Sequence, residues 1–93
     1  MIKTFHCKDT EKVFRGYAAK RFPQELLKRA KMRLDRIDAA FELDDLRVPP
    51  SHHLEALQGD RLGQHSIRIN DQWRICFVWS GDGVHDVEIV DYH

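Results

Sequence analysis

Apolar positions recur along this chain with two different periods, and the change between them separates a helical half from a strand half. The first run, Ile2 to His6, has β character and predicts a short opening strand. Asp9 or Thr10 then offers a side-chain oxygen to the free N–H groups of a first helix running to about Gly16, with Val13 and Phe14 buried. Pro23, which has no N–H to lose, suits the first turn of a second helix. Leu27, Ala30, Leu34, Ile37 and Phe41 follow at intervals of three and four, which stacks them into one apolar stripe. The pair Pro49-Pro50 cannot continue a helix and opens a loop.

Beyond that loop the period falls to two. Ile67 and Ile69 alternate with Ser66, Arg68 and Asn70; Trp73, Ile75, Phe77 and Trp79 alternate with Arg74, Cys76 and Val78. Asn70-Asp71-Gln72 joins the two runs into a hairpin, and Ser80-Gly81-Asp82-Gly83 makes a second turn. A last strand runs from about Val84 to Tyr92, with Val87 and Ile89 on one side and Glu88, Val90 and Tyr92 on the other. Helices first and a strand meander last give an α+β fold: a compact antiparallel β-sheet with two N-terminal α-helices packed on one face. The helix stripe covers Ile67, Ile69, Trp73, Ile75, Phe77, Val87 and Ile89. The opposite face then presents Arg68, Arg74, Glu88 and Tyr92, with His93 beside them.

Length and composition narrow the class. The 93 residues read as one domain, 1–93, and 42% hydrophobic with 32% charged residues is a folding composition rather than a disordered one. No apolar run approaches the ~20 residues of a membrane span, and the polar start does not read as a signal peptide. A cytoplasmic protein with no membrane partner is therefore expected. In that reducing setting Cys7 and Cys76 are expected as small buried apolar groups rather than a disulfide. The formal net charge is zero, but residues 1–40 carry eleven Lys/Arg against five Asp/Glu, and residues 41–93 carry four against ten. A basic half of this kind can face phosphates even in a neutral chain.

Four constellations are candidates for chemistry. Arg74 with Tyr92 and His93 is the strongest: a mid-strand arginine needs an anion, its planar fork suits a phosphate, and the two ring side chains can move protons beside it. A carboxylate at the end of the chain would favour a protonated His93, as a general acid requires. The competing reading pairs Arg74 with Glu88 across the sheet; from spacing alone the two stand level. Second, Leu54 and Leu57 anchor the stretch Leu54–Arg61 and leave Glu55, Gln58 and Arg61 facing outward. Third, His52-His53 with His65 or His85 matches no zinc spacing, so no metal is expected. Fourth, Lys28, Arg29, Lys31, Arg33 and Arg36 on the second helix, and Arg68 on the sheet, can lie along RNA phosphates.

The segments Met1–Phe5, Leu54–Phe77 and Val87–His93 resemble the HigB branch of the RelE toxin superfamily, also called plasmid maintenance system killer proteins, and within it the GraT-type toxins. The blocks Gly59-Asp60-Arg61, Asn70-Asp71-Gln72-Trp73-Arg74 and Asp91-Tyr92-His93 carry the likeness, which spans nearly the whole chain. The resemblance implies a RelE-like sheet with two N-terminal helices and a ribosome-dependent endoribonuclease, or mRNA interferase, that cuts mRNA in the ribosomal A site without a metal or cofactor. It implies that Arg74 stabilises the phosphate and that Tyr92 and His93 position the mRNA and assist proton transfer. It further implies a HigA-type helix-turn-helix antitoxin, with operator DNA bound only through the toxin–antitoxin complex. Two departures stand out. Glu55 and Gln58 occupy positions where better-known members carry His and Lys, and the family's strong positive charge is missing. Glu55 remains a usable general base, but Gln58 brings no charge, so a slow nuclease is expected. The alternative is a non-catalytic RNA- or ribosome-binding inhibitor of translation or ribosome assembly.

Overall fold

The computed structural model describes residues 1–91. Two helices, α1 (Lys8–Phe14) and α2 (Gln24–Ala39), precede four strands, β1 (Glu55–Ala56), β2 (His65–Arg68), β3 (Trp73–Ser80) and β4 (Gly83–Asp91). The strands form an antiparallel meander in the order β1-β2-β3-β4. Short 3-10 turns at Leu43–Arg47 and Pro50–His52 join α2 to the sheet, and a third, Gly59–Arg61, lies between β1 and β2. No helix of the described residues is long and apolar enough to cross a membrane.

The core lies between the helices and one face of the sheet. Leu26, Ala30, Leu34 and Ile37 of α2 meet Ile67, Ile69, Ile75, Phe77, Val84, Val87 and Ile89. Strand alternation fixes this division, since each core residue of β2 and β3 is followed by one that turns to the other face. Phe22 closes one end, its ring edge-on to Trp73 with centroids 5.6 Å apart.

Four expectations change in detail. The helix stripe begins at the buried Leu26, with Leu27 half-buried, and it stops at Ile37. The chain turns extended at Ala40, which leaves Phe41 94% exposed beyond the helix. Pro23 is the N-cap of α2 rather than part of its first turn, and Cys7 is the N-cap of α1. Thr10 is not a cap because its hydroxyl is used elsewhere: it is fully buried and accepts the Ile89 N–H of β4 at 3.0 Å.

The opening segment is the fourth. Ile2 and Phe5 make only isolated parallel bridges to Val84 and Val87. A continuous ladder is broken where β4 bulges at Asp86, whose φ is 54° and whose N–H goes to Thr4 Oγ1 at 2.8 Å. The approach is close at Gly83, with φ 147°: a Cβ there would sit 2.7 Å from the Met1 carbonyl oxygen. β1 was not foreseen. Its two residues have no alternation to read; pairing with β2 and the Leu57 N–H to Gln64 O bond of 2.9 Å define it.

Candidate RNA-cleaving face

Arg74 is the second residue of β3, on the sheet face turned away from the helices, with a side chain only 12% exposed. Its guanidinium is held from two sides. Nε donates to Ser66 Oγ on β2 at 2.8 Å, and Nη2 donates to the His53 carbonyl at 2.7 Å. The Glu55 carboxylate stands 3.7 Å from the same Nη2. The meander explains the meeting: Glu55 pairs with Ser66, and Ser66 with Cys76, so the three form one cross-strand row with Arg74 on its diagonal. His53 closes the Pro50–His52 turn in the left-handed conformation, φ 46°, which costs a non-glycine residue about 1 kcal/mol. That turn aims its carbonyl at the arginine.

The competing pairing of Arg74 with Glu88 does not form. The register puts Glu88 opposite Cys76 and Arg74 opposite Val90. Glu88 instead takes Arg61, at 3.3 Å, and lies 3.8 Å from His6. Arg61, expected as an outward-facing RNA ligand, therefore commits its guanidinium to Glu88 and to Gln64 Oε1 at 3.1 Å. Gln58 is exposed just before the same turn. Cys76 lies beneath this layer, fully buried, and burial pushes its thiol up and away from reactivity.

The basic helix is divided by the fold. Arg29 and Arg33 reach the far end of the sheet, where they meet Arg68 in a cleft of about 270 Å³. Arg29 donates to the Ile69 carbonyl at 3.5 Å and Arg33 to Ser51 Oγ at 3.4 Å. Arg68 donates to the Asn70 carbonyl at 3.0 Å and pairs with Asp71. Burial, then the neighbouring Arg29 and Arg36, lower the pKa of Arg33. Lys28 is exposed and shares a second shallow cleft with Arg29 and Arg33, whereas the exposed Arg36 lies apart beside Ala39 and Leu46.

Tyr92 and His93, proposed beside Arg74, lie outside the described residues. Asp91, the last of β4, accepts the Gln72 side-chain amide at 3.1 Å. Among the described residues no group of three or more His, Cys, Asp or Glu is placed to hold a metal ion. His52 is a core residue: its Nδ1–H donates to the Leu46 carbonyl at 3.0 Å. Two positioning groups escaped the sequence reading. Ser66 was legible in principle, since strand parity puts it on the Arg74 face. The His53 carbonyl was not, because no motif announces a left-handed turn.

Comparison with known proteins bears on the fold and the family. The sequence profile for the RelE-like toxin of type II toxin–antitoxin system HigB matches residues 3–93. Endoribonuclease HigB of Proteus vulgaris is 32% identical over 93 residues, covering 100% of both chains. Toxin HigB-1 of Vibrio cholerae is 43% identical over 61 residues, which span 66% of this chain and 63% of that protein. Among solved structures, the YoeB–YefM complex from Staphylococcus aureus superposes with a TM-score of 0.61 at 18% identity, covering 100% of this chain and 95% of that one, a likeness of fold. With the profile matching almost end to end and a relative aligned over its full length, the chain belongs to the HigB family of RelE-like toxins of type II toxin–antitoxin systems.

Proposed function

We propose that this chain, a type II toxin with endoribonuclease activity, cuts mRNA in the ribosomal A site by transfer of the phosphate to the neighbouring ribose 2′-oxygen. One observation carries the reading: a guanidinium fixed by Ser66 and the His53 carbonyl, with the Glu55 carboxylate 3.7 Å away. Glu55 accepts the proton of the 2′-hydroxyl, and the 2′-oxygen attacks phosphorus. The bond to the 5′-oxygen breaks and a 2′,3′-cyclic phosphate remains. Arg74, its position set before substrate arrives, stabilises the charge on the phosphoryl oxygens. As the resemblance implies, Tyr92 and His93 position the mRNA and return a proton to the leaving 5′-oxygen. Glu55 leaves the ion pair when the phosphate takes its place, and that exchange adds to the missing charge at Gln58 in slowing the enzyme. The partner is a protein antitoxin of the HigA type, which carries the operator-binding helix-turn-helix; the toxin itself acts in the cytoplasm, where ribosomes translate.

The test is a reconstituted translation reaction with mRNA 5′ ends mapped by primer extension. Wild type yields cuts that need ribosomes; Arg74→Ala abolishes them and Glu55→Gln slows them about 10²-fold or more, the usual scale for an acid–base group. Intact mRNA with blocked translation would instead assign the alternative reading, a non-catalytic inhibitor. The basic cleft of Arg29, Arg33 and Arg68 favours that alternative, because it offers RNA a hold that does not involve Arg74.

A further inference from the structure

We propose that the cleft between α2 and the β2–β3 turn is a second phosphate-binding subsite for the RNA strand, adjoining the Arg74 site and separate from it. The inference rests on the reading that the chain handles RNA, and it names where a neighbouring backbone phosphate is held. Three guanidinium groups face one small cleft, Arg29 and Arg33 from the helix and Arg68 from the sheet. Folding gains nothing by bringing three cations together; their mutual repulsion needs an anion. The donors are also incompletely used. The bonds of Arg29 to Ile69 O and Arg33 to Ser51 Oγ are long, at 3.5 and 3.4 Å, and the buried Nε of Arg33 has no hydrogen-bond partner among the described residues. Arg33, which lines the cleft, thus keeps an unused donor for an acceptor that enters it.

The residues that line the cleft decide which acceptor. Ser51, His53 and Asp71 are polar, and Ile69 is its one apolar wall among the groups described. A protein partner would need an aromatic or aliphatic anchor there; a phosphate needs only planar forks. His53 joins the two sites, since its carbonyl holds Arg74 while the residue itself lines the cleft. Asp71 is the competing anion. It pairs with Arg68 at the mouth, and its side chain is 97% exposed, so an entering phosphate displaces it into water.

The probe is a short RNA with 2′-O-methyl riboses, which cannot be cut, titrated into the full chain. Affinity is read by fluorescence anisotropy, and each arginine Nε–H by nitrogen-15 NMR. The Nε–H signals of Arg33 and Arg68 are expected to shift on binding. Arg29→Gln is expected to weaken binding about tenfold, the scale of one charge-assisted hydrogen bond. Asp71→Asn is expected to tighten it several-fold, a gain that loss of fold cannot mimic. RNA affinity unchanged in both variants overturns the proposal, and does so equally if Arg29→Gln weakens only antitoxin binding, which would assign the cleft to a protein. The two readings fail separately. A wild type that shifts Arg33 Nε–H with RNA but never cuts mRNA sinks the nuclease and leaves the subsite. A wild type that cuts mRNA while both variants bind RNA normally sinks the subsite alone.

Discussion

Arg74 is nearly buried, so truncating it disturbs the sheet as well as the phosphate site. Ser66 Oγ and the His53 carbonyl each lose a donor, and a partner left unsatisfied costs about 1–3 kcal/mol. Arg74→Ala should therefore be assayed beside its melting curve, and Arg74→Lys, which keeps the charge without the fork, should restore stability better than cleavage. His52 gives a prediction about pH. Burial first, then Arg33 and Arg36, hold its pKa below the ordinary value of 6.5, against the opposing pull of the Leu46 carbonyl. Between the folded and unfolded values the unfolded chain binds more protons, so stability is full above about pH 6.5 and falls as pH drops through that window. His52→Asn, which retains a donor toward Leu46, should flatten that fall; denaturant midpoints at pH 7.5 and pH 5 would show it. Identical slopes for both proteins would remove His52 as the cause. At this scale strand parity made Arg74 and Arg68 legible from sequence, and the same parity could have found Ser66. Arg61 with Glu88 was not legible, because one partner sits in a turn whose direction only the fold decides.

At the scale of elements, α2 does two jobs with opposite faces. Leu34 is fully buried, and Leu34→Ala is expected to cost about 2–5 kcal/mol, which lowers Tm by about 4–8 °C per kcal/mol in a domain of this size. Phe41, in phase with Leu34 on paper but beyond the helix end, should tolerate alanine within about 0.5 kcal/mol. Calorimetry on the two variants decides whether the helix ends where described, and comparable losses would contradict it. The stripe itself was readable because a period of 3.6 survives any uncertainty about ends. Its phase at the ends was not, because nothing local stops a helix at Ala39. β1 was invisible for a related reason: two residues contain no period.

The whole molecule is neutral, yet its charges are sorted. The fold brings Arg29 and Arg33 from the basic half beside Arg68 and within one residue of the Arg74 site, where Asp71 and Glu55 are the acids that face them, while others such as Asp44 and Asp82 stay on exposed turns. Affinity for RNA should follow this local field rather than the net charge. With two phosphates held, raising salt from about 0.05 to 0.2 M should weaken binding to single-stranded RNA about sevenfold, with little change in Tm; anisotropy at the two salt concentrations tests it. A flat response would mean that the arginines do not meet the backbone. The coarse charge division was plain in the sequence. Which arginines converge was not, since that depends on where the loop after Pro50 passes α2, which it meets at Arg33 through Ser51.

The bridges from Ile2 and Phe5 to β4 carry a consequence for how partners bind. They cover the first half of the last strand's outer side, at Val84 and Val87, and at the opposite border β1 is only two residues long. Among the described residues the sheet thus exposes no long row of unpaired backbone groups on either side. Edge-to-edge stacking of copies is disfavoured without a charged gatekeeper. Among the described residues an added strand would find only short stretches of free backbone, which favours recognition of this chain through side chains on its faces or helices.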